Sequence, residues 1–433
     1  MIYHKRGFLI VLFIFLVTNL VAQQPLTFSR QEAEAVFLKQ NLSIIAEKLE
    51  IPKAEAAVLQ AKLWPNPTLS VDEVNLWASR SQKEIGGEEL PPLFGDFGKH
   101  QQFSIGLEQL IQTAGKRKKL MALEQVSVEK ATQYFEDLLR NLKIEFRNQL
   151  TELQFLQFHK KVYDSQIDAI NQLTQSYEKQ VELGHIPKGE FIRLKALELQ
   201  FSKNSKNIGH EINEAQKDLK QLMRLPAESQ LIISDEDFQI KTNSYKLLNL
   251  NTLIESAKAN RADLKIAELE GQHYQKLYDF EKAQRTPDIT FKAGYDRGGS
   301  ILYNFIGFGF DIDLPIFNRN QGNIQAAKIG IEQSGFLYEE KTLSVENELV
   351  MAYQNLSEAI AFFEKIDSEY EDTLDTLLRS YTKNFRDRNI SLLEFIDFLE
   401  AYMENKEIIL EAAKEVHQKA EELNYAIGQD IIK

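Results

Sequence analysis

Between Lys116 and Leu183 the chain runs for nearly seventy residues without a proline or a glycine. Val128, Ala131, Phe135, Leu138 and Leu142 step by three and four, and the stepping resumes at Leu153, Leu156, Tyr163, Ile167, Ile170, Tyr177 and Val181. A repeat near 3.5 keeps one apolar seam on a helix and supercoils it left-handedly against partners. At 1.5 Å per residue such a helix is roughly 100 Å long. Compact globular packing is excluded for that stretch, and the rest of the chain is read as what is attached to it.

The N-terminus carries Lys5 and Arg6, an apolar run from Gly7 to Val17, and Asn19-Leu20-Val21-Ala22 before Gln23. That layout is a secretory signal peptide over residues 1–22. The run is too short for a membrane span, and no later stretch is apolar enough to cross as a helix. Any membrane insertion must use strands.

Cysteine is absent, which removes disulfides and thiolate metal sites. The seven histidines and five methionines are scattered, so neither a metal site nor a cofactor is expected. The formal charge of −13 becomes −15 once the two cations of the signal are removed, which argues against nucleic acid as a partner. Nucleophile-elbow, P-loop, dinucleotide and zinc-helix motifs are missing, so no enzyme is expected.

Taken in order, Ser29 to Leu63 is helical in composition, with Pro52 marking a kink or restart. Trp64-Pro65-Asn66-Pro67 stops it. A hairpin over residues 67–111 follows, its second strand alternating Phe103, Ile105 and Leu107 with Ser104, Gly106 and Glu108. The long helix (113–183), a turn at Gly184 to Pro187, a return helix (187–225) and an irregular link (226–250) complete a first repeat of residues 23–250. Residues 251–433 repeat the order: a helix to Gln284, a hairpin (288–315), a long helix (320–386) and a return helix (391–428). The last strand has the clearest period of two, with Ile306, Phe308, Phe310 and Ile312 between Gly307, Gly309, Asp311 and Asp313. Ser176-Tyr177-x-Lys179 with Glu190-Phe191-Ile192 recurs as Ser380-Tyr381-x-Lys383 with Glu394-Phe395-Ile396, so the chain is an internal duplication.

Two hairpins supply four strands, which cannot close a barrel, and lipid does not tolerate an open edge. Three chains would supply twelve. The apolar positions of the last strand would then face lipid, and Trp77, Phe94, Phe97, Tyr303 and Phe305 would lie near the strand ends as aromatic belts. A small soluble sheet capping a coiled coil is the plainer alternative. Lys116-Arg117-Lys118-Lys119 opposes the dipole at the start of the long helix. Headgroups at the membrane boundary would explain the cluster, and an ordinary solvated charge run would also do.

Leu63-Trp64-Pro65-Asn66-Pro67-Thr68-Leu69 before the first strand, Gly115-Lys116-Arg117 after the second, Leu314-Pro315-Ile316-Phe317-Asn318-Arg319 after the fourth, and the duplicated element order together resemble the outer-membrane efflux protein family, the TolC type. The resemblance covers nearly all of the mature chain. Ala114-Gly115-Lys116-Arg117 is most similar to the heavy-metal (cobalt-zinc-cadmium or copper) efflux branch.

The resemblance implies a mainly helical homotrimer: a twelve-stranded barrel in the outer membrane, continued by a long α-helical barrel through the periplasm. It would be a passive duct for efflux or type I secretion, driven by an inner-membrane RND or ABC transporter through a periplasmic adaptor. A periplasmic structural or adhesive coiled coil is the competing reading. The docking tip would hold Gly184, Pro187 and Glu190 of one turn and Arg388 and Ser391 of the other. Carried over by position, Glu394 and Asp397 would narrow the periplasmic entrance, in rings whose repulsion raises their pKa values. A capping box with Ser391 is the alternative role for Glu394. The family usually has glycine at the second turn, where this chain has Arg388, with Asn389 beside it able to turn left-handed. The aromatic-to-arginine latch of some members is replaced by Phe385 and Ile390.

Overall fold

The computed structural model describes residues 25–75, 102–234, 245, 248–297, 304–366 and 368–431. The signal segment, Trp77, Phe94, Phe97, Tyr303, the Gly86 to Pro92 and Gly298-Gly299 loops and about half of the link lie outside these residues.

The element order is β1 (Leu26–Phe28), α1 (Arg30–Gln40), α2 (Leu42–Lys48), α3 (Glu50–Lys62), β2 (Thr68–Asn75), β3 (Gln102–Ile111), α4 (Lys116–Glu182), α5 (Lys188–Leu222) and β4 (Leu231–Ile233). It continues with α6 (Leu250–Asn260), α7 (Ala262–Ala283), β5 (Ile289–Arg297), β6 (Phe305–Ile312), α8 (Gln321–Phe363), α9 (Ser368–Arg386) and α10 (Leu392–Ile427). The chain divides into two units. One holds the described residues of Met1–Glu47, Phe135–Ala262 and Thr342–Lys433, and the other Lys48–Tyr134 and Asp263–Lys341.

In the first unit the apolar seams of α4, α5 and α10 close on one another. Leu150, Leu153 and Ile170 of α4, Leu194 and Leu219 of α5 and Leu399 of α10 are at most 1 % exposed. Phe37 of α1 stacks on Phe146 at 4.5 Å, and burying one such ring contributes about 2–3 kcal/mol. A polar hub ties the ends together: Arg147 donates to Glu34, Glu421 and Asp430 at 2.8–3.0 Å. Burial opposes the Arg147 charge, but the Glu34 and Asp430 hydrogen bonds outweigh it and raise the guanidinium above its usual value.

Three segments expected as continuous helices, and one expected as an irregular link, are organised differently. The N-terminal helix is broken at Asn41 and again at Leu49, so Pro52 sits in the first turn of α3, where its missing N–H costs nothing. The helix expected to Gln284 bends at Arg261, whose backbone is extended (φ −64°, ψ 120°). The second long helix is interrupted after Phe363, where Lys365 and Ile366 donate to carbonyls three residues back instead of four. Glu369 and Glu371 then begin α9, an acidic first turn suited to a new helix. Within the link, Leu231–Ile233 pairs in parallel with Leu26–Phe28. Gln157 and Gln216 satisfy the backbone of Leu231 and Ile233 on the other side of β4.

The second unit holds one four-stranded antiparallel sheet in the order β2-β3-β5-β6. Each predicted hairpin is present, and β3 pairs with β5 to join them. Tyr274 of α7 lies where a Cβ on Gly330 of α8 would be, so only glycine lets these helices approach so closely.

Candidate functional site

The sheet register sorts its side chains into two faces. Leu69, Leu107, Ala293 and Phe308 stand opposite one another across all four strands, as do Val71, Ile105, Tyr295 and Ile306. Phe291 with Phe310 and Ile289 with Ile312 extend the same face. It is uncovered within the chain: Leu69 is 68 % exposed, Phe308 85 % and Phe310 65 %. The other face carries Ser70, Gly106, Gly294 and Gly307 in one row, Glu108, Lys292 and Gly309 in the next, and Thr290 and Asp311 in the row after that. Lys292 bridges Glu108 at 3.1 Å and Asp311 at 2.5 Å. A Cβ on Gly106 would lie 2.6 Å from the Ser70 hydroxyl, so Gly106 leaves that hydroxyl its space.

An apolar face this large and this bare is a contact surface for a membrane or a partner. Among the described residues no helix is long and apolar enough to cross a membrane. The strands are eight to ten residues long, near the length that crosses a bilayer when tilted. Among the described residues, strands β2 and β6 each present an unpaired edge.

The chain leaves and re-enters the sheet through the motifs singled out in the sequence. Trp64 carries the Arg117 guanidinium over its ring at 3.8 Å, and Arg117 donates to the Lys62 carbonyl. Gln109 donates to the Pro65 carbonyl. Gly115 has φ +68°. Lys116 is only 4 % exposed and pairs with Asp288 at 2.7 Å, and the Thr113 backbone N–H donates to the same carboxylate. Of Lys116, Arg117, Lys118 and Lys119, expected as one basic cluster for headgroups, Lys116 is thereby withdrawn from the surface. Lys116 locks the start of α4 to the start of β5, Arg117 caps Trp64, Lys118 is exposed and Lys119 is half-buried.

The helical tip belongs to the first unit. Gly184 takes φ +74°, and His185 donates back to the Gln180 carbonyl at 2.9 Å, closing the end of α4. The register that relates Ser176 to Ser380 relates Gly184 to Arg388. Arg388 itself takes φ +60°, with Asn389 donating to Asn384 at 2.8 Å. The left-handed residue is Arg388, not Asn389, because the duplicated turn places it where glycine stands in the first copy. Pro187 is the N-cap of α5, one residue earlier than the first helical position expected.

Ser391 caps α10 in a complete capping box: its hydroxyl accepts from the Glu394 N–H at 3.3 Å, and its own N–H donates to the Glu394 carboxylate at 2.7 Å. Those hydrogen bonds hold Glu394 below its ordinary value within one chain, the opposite direction from a repelling ring. Glu394 and Asp397 are both exposed on one face of α10. The sequence reading missed the packing beneath the turns, where Tyr177, Phe385 and Phe395 stack in series at 5.5 and 4.6 Å. Phe385, expected as a substitute in a latch, is 3 % exposed and part of this stack. Burial raises the Tyr177 hydroxyl, with Glu190 adding and Arg388 opposing, so both turns lie within its electrostatic reach. Lys406, buried among apolar positions of α10, pairs with Glu371 at 2.8 Å and Asp375 at 3.0 Å. A charge amid Leu399, Tyr402, Met403 and Ile409 was the signal that could have disclosed it.

Residues 253–429 match the family model described as outer membrane efflux protein. Over 155 residues the chain is 24 % identical to the cobalt-zinc-cadmium resistance protein CzcC of Cupriavidus metallidurans, a match covering 36 % of this chain and 37 % of that protein. The chain thus spans about a third of the length of this curated relative. In fold it is similar to CusC (TM-score 0.69, 18 % identity, 94 % of this chain and 96 % of that one). It is also similar to the open MtrE outer membrane channel of Neisseria gonorrhoeae (0.69, 14 %, 93 % and 89 %) and to the CmeC outer membrane channel of Campylobacter jejuni (0.70, 10 %, 93 % and 87 %). The second repeat thus matches the outer membrane efflux protein model, and nearly the whole chain shares the fold of such channels.

Proposed function

We propose that this protein is the outer-membrane channel of a tripartite efflux system, a passive duct whose energy comes from an inner-membrane pump. The observation that carries this is the sheet: one continuous, exposed apolar face running from Leu69 through Leu107 and Ala293 to Phe308, bounded by two open edges. Hydrocarbon suits the face, and edge-to-edge closure by further copies suits the edges. Three copies give a twelve-stranded barrel with the Ser70 and Lys292 rows inside. A periplasmic structural or adhesive coiled coil would leave the β6 phenylalanines bare to water.

The helices extend into the periplasm, where the Gly184 and Arg388 turns dock an adaptor that links the duct to an RND or ABC transporter. Leu183, Ile192 and Leu393, each more than half exposed, offer that partner apolar contacts near the turns. Glu394 and Asp397 line the entrance. Similarity to a cobalt-zinc-cadmium resistance protein supports divalent metal ions as the cargo.

Membrane fractionation tests the placement: the protein should stay with the outer membrane through high-salt and carbonate washes and elute from detergent as a trimer. A deletion strain should become sensitive to cobalt, zinc, cadmium or copper. A monomer soluble without detergent would sink the channel reading, and unchanged metal tolerance would sink the cargo.

A further inference from the structure

In the first unit, α4 and α5 flank an open groove of about 840 Å3, with Glu228, Ser229 and Gln230 on its wall. Its charge runs against that of the chain. Lys160, Lys206 and Lys220 line it with His210, and Glu228 is the one acidic lining residue, whereas the whole chain carries −13. Asp164 answers Lys160 at 2.7 Å. Lys220 is held by two neutral acceptors, the carbonyls of Ala227 at 2.7 Å and Ser229 at 3.2 Å. Lys206, one helical turn from His210, is exposed and makes no ion pair among the described residues.

The uncharged lining narrows the ligand further. Ile167 and Ile212 are its only apolar members, too few to seat the apolar face of an amphipathic helix. Ser202, Asn213 and Gln230 offer hydroxyl and amide groups instead. Gly209 stands inside α5, where glycine weakens a helix, and nothing lies within 4 Å of the Cβ it lacks. The floor of the groove is thereby left open to a close approach.

We propose that this groove binds a carboxylate-bearing glycan–peptide strand of the cell wall, its carboxylates on Lys206 and Lys220 and its hydroxyl and amide groups on the polar lining. Ammonium–carboxylate hydrogen bonds are charge-assisted and orient such a strand. The proposal rests on the periplasmic placement of these helices given under Proposed function.

The test is co-sedimentation of the purified full chain, as it exists in detergent, with insoluble wall sacculi. Wild-type protein should sediment at low ionic strength and be released at about 1 M salt, where charges are screened within ~3 Å. Lys206→Glu with His210→Glu should weaken sedimentation about tenfold. Both sites are exposed, so unchanged thermal unfolding certifies the fold. Lys217→Glu, outside the lining, should bind as wild type. Sacculi whose carboxyls have been converted to methylamides should no longer retain the protein. Equal sedimentation of the double variant, or retention by the amidated sacculi, overturns the proposal. So does capture of a hexaglutamate peptide without capture of sacculi, which assigns the groove to an acidic protein segment. Fractionation of the same preparations reads the membrane placement separately, so a protein that stays in the outer membrane yet ignores the sacculi overturns the groove alone.

Discussion

The Arg261 guanidinium donates to the backbone carbonyl of Ala426 at 3.4 Å from a side chain only 1 % exposed. The first repeat makes the same tie with a different residue. There the Asn41 amide donates to the Leu222 carbonyl at 2.9 Å, and the register that relates Ser176 to Ser380 relates Leu222 to Ala426. In each copy the residue at a helix bend holds the end of the return helix, satisfying a carbonyl that a helix terminus leaves orphaned. Arg261 adds an ion pair to Glu348 at 2.6 Å.

Gly428 follows that tie with φ +77°, and a Cβ there would lie 3.1 Å from the Arg261 backbone. Gly428→Ala is expected to lower stability by about 1–2 kcal/mol, read as a lower thermal midpoint. Arg261→Ala should lower it by about 2–3 kcal/mol; Glu348 is left 40 % exposed and hydrated, which keeps the loss below that of a fully buried pair.

The two tip turns predict opposite responses. Arg388→Gly should raise stability by about 0.5–1 kcal/mol, because a left-handed φ of +60° strains a side-chain-bearing residue. Gly184→Ala should lower it by a similar amount. Paired thermal melts of the two variants check the sign.

Acid should loosen the first unit in two stages. Burial holds His159 below 6.5, against the opposing Glu407, Glu211 and Glu411, and its Nε2 has no hydrogen-bond partner. With the folded value depressed, the unfolded chain binds the proton first, so stability falls as pH drops below 6.5. Burial opposes ionisation of Asp430 too, but hydrogen bonds from Arg147 and Lys143 outweigh it and place the carboxyl below 3.8. That contribution is present above 3.8 and lost as pH falls through the folded value. His159→Phe should flatten the upper stage and Asp430→Asn the lower, measured as thermal midpoint against pH.

A single cation on the apolar face should block membrane assembly. Phe308→Lys places a charge at a site 85 % exposed in the chain, at a cost of about 2–4 kcal/mol if it reaches the middle of the bilayer. Thr290→Lys, on the opposite face of the sheet, should still fold into lipid vesicles, and urea titration in vesicles separates the two.

Glu394 can be tested without disturbing its cap. Glu394→Gln keeps an acceptor for the Ser391 N–H, so helix stability should hold. Combined with Asp397→Asn, it should change cation blockade in planar bilayers. An unaltered double variant would remove both residues from the entrance.

Much of the architecture could be read along the chain, because the information is local. A seam repeating near 3.5 between Val128 and Val181 demands a long packed helix, and strict alternation from Ile306 to Ile312 demands a strand with one apolar face. The repeated Ser-Tyr-x-Lys and Glu-Phe-Ile blocks disclosed the duplication, and the S-x-x-E pattern at Ser391 disclosed the cap. Only tertiary structure decided where long-range partners override local preference. Asn41 and Arg261 break helices to reach carbonyls far along the chain, and Leu231–Ile233, too short to show a period, becomes a strand against Leu26–Phe28. Lys116 was read as a surface cation because its partner, Asp288, lies far along the sequence. Periodicity is set by neighbours in sequence. A bend, a parallel pair or a buried charge is set by what the folded chain brings to it.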